Sequence, residues 1–309
     1  MWRVADAHCD TISKRLMGQR QSTLDLKEWF DGGVVLQVFA CFIEPQFKPE
    51  LSLKRCLQQI DAFERLVVGA GATPVLGRED VLRILRGEER RLGALLAVEG
   101  GEAISGDLAV LRALYRLGVR LITLTWNQRN DIAEGVGDDR AGGGLSSFGA
   151  EVVHEMNRLG MAIDVSHLSE AGFWDVLEIS KAPIIASHSS CRALRDHKRN
   201  LDDDQLKALG KAGGYVGINF YPAFLSKEEE EVGVRAVVDH LEHAAEVAGF
   251  AAVGLGSDFD GIERTPIGLE APSRMQCIGE ELARRGWSEE NIRMVMGENL
   301  LAYLSRVLN

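Results

Sequence analysis

Eight short runs, each almost unbroken in apolar residues, recur along this chain with helical stretches between them. They are Val4–Asp10, Val34–Phe42, Leu92–Gly100, Arg120–Asn127, Ala162–His167, Pro183–Ser190, Tyr215–Tyr221 and Ala252–Asp258. The intervening stretches carry apolar residues three and four apart, as in Leu51–Gly71, Asp107–Leu117, Phe148–Leu159, Glu170–Ile179, Asp203–Lys211, Val234–Ala248 and Pro272–Arg285. Ser13–Gly32 is the weak helix of the series. Runs such as VVLQVFACF and PIIAS do not alternate, so they predict strands covered by helices on both faces, hence a parallel sheet. Eight of them with helices between predict an α/β fold of the (β/α)8 TIM-barrel type, one domain spanning 1–309. A doubly wound open sheet is the competing architecture, but the chain has neither GxGxxG after a strand nor GxxxxGK[ST]. The acidic run Glu228–Glu231 reads as a solvated helix start.

In such a barrel, chemistry belongs to the C-terminal ends of the strands. Those ends are where this sequence places its ionisable residues: Asp6-Ala7-His8-Cys9-Asp10, Val98-Glu99-Gly100, Asp164-Val165-Ser166-His167, Ser187-His188-Ser189-Ser190 and Ser257-Asp258-Phe259-Asp260. One buried polar residue is ordinarily satisfied by nearby backbone. Five strands ending this way point instead to a shared site, because charged groups are rarely buried unless paired or bound to metal. His8 and Asp10 are two apart on one strand and share a face, with Cys9 turned away. Adding Glu99, His167 and His188 gives three imidazoles and two carboxylates, too many for one tetrahedral zinc with an open position. The set suits two cations, which at ~3.5–4 Å can share a carboxylate and a bridging hydroxide. No GxSxG offers a competing nucleophile. His154, His197, His240 and His243 read as ordinary histidines of helices and loops. His240 and His243 lie one turn apart, but no third ligand accompanies them, and they read as surface histidines on a helix rich in charge.

Composition narrows the partners. With 35 Lys+Arg against 46 Asp+Glu the formal net charge is −11, which argues against nucleic acid, since binding it by counterion release needs a basic face. No apolar run approaches the ~18 residues of a membrane span and MWRVADAHCD is no signal peptide, so the expected location is cytoplasmic, away from membranes. The five cysteines form no CxxC pair and are expected to be reduced.

The segments DAHCDT, AVEGG, LTWNQRN, FGAEVVHEMNRLGMAIDVSHLSE, ASHSSCRALRDHKRNLDD, GYVGINFY, GLGSDFDG and GENLLAYL resemble, in order and along nearly the whole chain, the renal or membrane dipeptidase family of zinc hydrolases. The resemblance implies a distorted (β/α)8 barrel, two Zn²⁺ per chain, and hydrolysis of dipeptides, often with a D-residue at the C-terminal position. Carried over by position, it implies His8 and Asp10 as ligands of one zinc, His167 and His188 as ligands of the other, and Glu99 as the bridge. It further implies Asp258 as the proton-handling and substrate-contacting acid, and Arg199 as the partner of the substrate's carboxylate. Trp126 stands where animal members have a histidine thought to help bind the scissile carbonyl oxygen, leaving the metal, Trp126 itself or Asn127 for that task. Two other functions use the same residues: a metal-dependent amidohydrolase acting on an N-acyl amino acid, cyclic amide or lactone, and a non-catalytic metal-binding barrel. A homodimer is left open.

Overall fold

The computed structural model describes residues 1–18, 26–138 and 142–309. All eight expected runs form parallel strands, as β1 (Val4–Cys9), β2 (Val34–Phe42), β4 (Gly93–Glu99), β5 (Val119–Thr123), β6 (Ala162–Asp164), β7 (Ile185–Ala186), β8 (Tyr215–Ile218) and β9 (Val253–Leu255). A ninth strand, β3 (Thr73–Pro74), pairs only with the start of β4 and has no counterpart in the sequence reading. The sheet runs β2-β1-β9-β8-β7-β6-β5-β4 and closes through β2–β4 pairing, from Leu36 opposite Gly93 to Phe42 opposite Glu99. This is a closed (β/α)8 barrel.

Inside it, Ala5, Ala7, Leu36, Val38, Leu95, Ala97 and Leu121 form a core cluster with Leu300, Leu301, Tyr303 and Leu304 of helix Asn299–Val307. That helix covers the floor: Tyr303 donates to the carbonyl of Pro183 just ahead of β7, and Arg306 to that of Gly213 just ahead of β8. The opposite end is left for loops. Several of these deliver their helix through a side-chain cap, with Ser146, Ser169 and Asp202 accepting from backbone N–H groups of the first turn.

The predicted helices form, with two refinements. Leu51–Gly71 is an α-helix over Ser52–Phe63 that widens into a π-turn at Glu64–Val68, and the Ser13–Gly32 stretch yields helices Thr11–Met17 and Lys27–Asp31, its residues 19–25 lying outside the described part. The acidic run corresponds to an exposed 3₁₀ turn, Glu229–Glu231, and the helix proper starts later, at Val234. Among the described residues no helix is long and apolar enough to cross a membrane.

Candidate active site

The mouth of the barrel gathers the residues that the strand ends offered. β1 leads to His8 and Asp10, whose Nε2 and Oδ2 atoms are 3.3 Å apart, and the pairing of β1 with β2 slips between Asp6 and Cys9, a local irregularity beside the site. The segment after β9 stays attached to β1: Asp258 donates its N–H to the carbonyl of His8, and Asp10 to that of Phe259. Asp258 and His167 both adopt left-handed backbone, with φ of 62° and 68°. For residues with a side chain this is an uncommon conformation, held here by surrounding contacts. Gly261 completes the turn, where a β-carbon would lie 2.1 Å from Asp10 Oδ2 and 2.3 Å from Asp258 Oδ1.

Glu99, on β4, divides its two oxygens. Oε2 faces His8 Nε2 at 3.6 Å, while Oε1 faces His167 Nε2 at 3.0 Å and His188 Nε2 at 3.5 Å. The tautomers of the latter pair follow from their other nitrogens. His167 Nδ1 lies 2.9 Å from the amide oxygen of Asn127, which only accepts, so Nδ1 carries the proton. His188 Nδ1 lies 2.7 Å from Ser187 Oγ, whose own proton goes to Asp164 Oδ2 at 2.6 Å. Both Nε2 atoms therefore present lone pairs, 3.0 Å apart, toward one carboxylate oxygen. With no proton to place among them, that arrangement fits a cation. On the other side His8 Nδ1 and Asp10 Oδ1 are buried without a hydrogen-bond partner.

The electrostatics agree. Burial, then the charge of Arg199, pushes His167 well below its ordinary value, and burial followed by the charge of His8 takes His188 down to about 4. Burial would also lower His8, but the carboxylates of Glu99 and Asp10 outweigh it and hold that imidazole well up. Glu99 would be raised by burial, yet the charge of the His8 imidazole beside it keeps it well below the usual carboxylate range. Burial lifts Asp258 to about 8, with Asp10 and Glu99 reinforcing it against the pull of His8. Three buried carboxylates, Asp10, Glu99 and Asp258, thus crowd around His8 beside the buried guanidinium of Arg199, a concentration of donor oxygens that suits cations.

Among the described residues, Glu99/His167/His188 and His8/Asp10/Asp258 have metal-ligand geometry, each with donor atoms within 4.8 Å of one another. A third grouping, His8/Asp164/His188, is excluded chemically. Asp164 already accepts from Thr123 Oγ1, Ser187 Oγ and the N–H groups of Ser166 and Ser187. Its role is to fix Ser187 and, through it, His188.

Arg199 is buried beside this set, its Nη2 donating to the His188 carbonyl at 3.0 Å and its Nε without a partner. Burial lowers its pKa to about 10. A cavity of about 290 Å³ opens over the cluster, bordered by Arg199, Asp258, Trp126, Phe42, Tyr221 and Phe224. Cys9 is buried, and burial raises its thiol well above the ordinary value, so it offers no nucleophile. His240 departs from the surface reading: it is buried, its Nδ1 accepting from the Cys191 N–H at 3.0 Å and its Nε2 donating to the Leu225 carbonyl at 3.1 Å. The helix face carrying it is an inner one.

The sequence also matches the model of the family described as membrane dipeptidase, peptidase family M19, over residues 2–309. The chain belongs to the membrane dipeptidase family. It is 39% identical over 296 residues to an uncharacterised dipeptidase of Schizosaccharomyces pombe, covering 91% of this chain and 71% of that one. Among solved structures it superposes on dipeptidase AC, a family M19 metallopeptidase, with a TM-score of 0.91 at 28% identity, covering 99% of each chain. A Rhodobacter sphaeroides metallopeptidase liganded with a phosphinate mimic of the dipeptide L-Ala-D-Ala gives a TM-score of 0.91 at 27% identity, again over 99% of each chain. The activity of this M19 member is that of a metal-dependent dipeptidase.

Proposed function

We propose that this chain is a zinc dipeptidase with two Zn²⁺ per molecule, one held by His8 and Asp10, the other by His167 and His188, with Glu99 serving both. The observation that carries the reading is the division of Glu99, one oxygen toward His8 and the other toward the His167–His188 pair. When bound, the cations supply Lewis-acid polarisation of the peptide carbonyl and acidify water at neutral pH.

The rest falls to this chain's own side chains. Arg199, with its Nε uncommitted, takes the substrate's C-terminal carboxylate, and its planar fork favours two parallel hydrogen bonds. Asp258, held by the Asn219 amide at 2.9 Å, removes a proton from the attacking water and returns it to the amine nitrogen as the C–N bond breaks. Asn127 has its amide oxygen committed to His167, which leaves only its NH₂ group for a substrate oxygen. Because Arg199 is buried next to the cluster, a free carboxylate reaches it only from the residue after the scissile bond, which selects for dipeptides. The R. sphaeroides relative liganded with an L-Ala-D-Ala mimic supports a C-terminal D-residue as an acceptable substrate feature.

The test is a panel of L,L and L,D dipeptides, their C-terminal amides and a set of N-acyl amino acids and lactones, run on zinc-loaded protein beside elemental analysis. About two metals per chain with hydrolysis confined to free dipeptides is the expected result. One metal per chain, or preferential turnover of lactones, overturns it.

A further inference from the structure

Round the closed barrel, β2 and β7 are four steps apart in either direction, so they face each other across the mouth. Arg199 belongs to the segment that follows β7, and Phe42 ends β2, paired in register with Glu99. A dipeptide whose carboxylate sits at Arg199 and whose peptide bond lies over Glu99 therefore directs its N-terminal residue toward Phe42. The wall there is aromatic. Phe42 and Trp126 pack at 5.2 Å between ring centroids, both are partly exposed, and both border the cavity over the cluster.

The wall is also held from outside that cavity. Lys48 places its ammonium 5.2 Å from the centre of the Trp126 ring and 5.8 Å from that of Phe42, within the range of cation–π attraction. Lys48 is at the same time paired with Glu102, and Glu102 accepts from Asn130 at 3.0 Å. The lysine's charge is thereby balanced, and its contact with the two rings fixes their orientation. What the cavity meets on this side is apolar ring surface.

We propose that Phe42 and Trp126 form the pocket for the side chain of the substrate's N-terminal residue, and that this enzyme selects dipeptides beginning with a large apolar residue. The inference rests on the dipeptidase reading with Arg199 as carboxylate anchor, and it adds a specificity that the reading leaves open. Trp126, whose indole ring borders the cavity, then acts as recognition surface.

Two dipeptide series test it on zinc-loaded protein, one varying the N-terminal residue through Gly, Ala, Leu and Phe before a constant Ala, the other varying the C-terminal residue after a constant Ala. In the first series kcat/KM should rise about 10²-fold from Gly to Phe, the order expected for burying a whole apolar side chain. Phe42→Ala and Trp126→Ala should compress that ratio to about tenfold or less, while Trp126→Phe keeps most of it. Calorimetric binding of non-cleavable reduced-amide analogues should show the same ranking, which places the effect in recognition. A flat N-terminal series, a preference that follows the C-terminal residue, or a ratio that survives both alanine variants overturns the proposal. Failure to cleave any dipeptide at full metal content strikes the dipeptidase reading itself, and this proposal with it.

Discussion

The two flanks of the cluster are built by different means. On the β6/β7 flank both imidazoles have their outer nitrogens committed, His167 to Asn127 and His188 through Ser187 to Asp164, so their inner nitrogens are aimed as lone pairs by the protein alone. On the β1/β9 flank Asp10, Asp258 and Glu99 crowd around His8, whose Nδ1 has no partner, and Asp10 keeps an unpaired oxygen. One flank is preorganised by hydrogen bonds. The other gathers three carboxylates around one imidazole, with donor atoms on His8 and Asp10 left unpaired that a positive ion would complete. The contrast sets an aimed pair of imidazole lone pairs against a group of carboxylates whose protonation can change.

The sharpest way to break the comparison is to neutralise the carboxylate flank without removing its ligands. Asp258→Asn should lower kcat by roughly 10² to 10⁴ while metal content stays near two per chain. Coincident loss of metal would make Asp258 a ligand, and near-normal turnover would remove it from proton transfer. On the opposite flank, Ser187→Ala and Asn127→Ala should each weaken one of the two metals by about 10- to 100-fold, read by chelator competition, and leave the other within a few-fold. Equal weakening of both metals would erase the distinction between flanks.

The smallest effect belongs to a buried histidine off the site, which shows what burial does without a cation. His240 is neutral in the fold, its pKa brought down to about 4 by burial. Between that value and about 6.5 the unfolded chain binds more protons than the folded one, so His240 contributes stability in full above about pH 6.5 and loses it as the pH falls through this window. Urea titrations at pH 7 and pH 4.5 should show a pH-dependent loss smaller in His240→Gln than in the wild type by on the order of 1 to 3 kcal/mol. An identical loss in both proteins would sink the assignment.

The barrel was legible because buried parallel strands write themselves as unbroken apolar runs, and a His or Asp at the end of such a run has few innocent explanations. Thr73–Pro74 is too short to leave a pattern. His240 looked exposed because one helical face cannot be told from another when both carry charge, and only packing against Cys191 and Leu225 decides it. Arg199 sits in a basic run with Arg195, His197 and Lys198, from which nothing local singles it out, and it was found through the family resemblance. The fold separates it from them by a parallel bridge between Cys191 and Leu201 that folds the segment back and buries this one arginine. The supporting residues Asn127, Ser187, Asp164 and Asn219 are ordinary strand-end polar residues until their partners are known.

Gly261 has a bearing on how such an enzyme can diversify. With two carboxylate oxygens within 2.3 Å of where its β-carbon would lie, any side chain at that position must displace Asp10 or Asp258, so the Asp258–Gly261 turn resists substitution. Variation falls more readily on the rest of the rim, at Phe42 above all, since the Trp126 ring also faces that of His167 at 6.0 Å between centroids. A barrel of this kind can vary its substrates more readily on one side of its mouth than on the other.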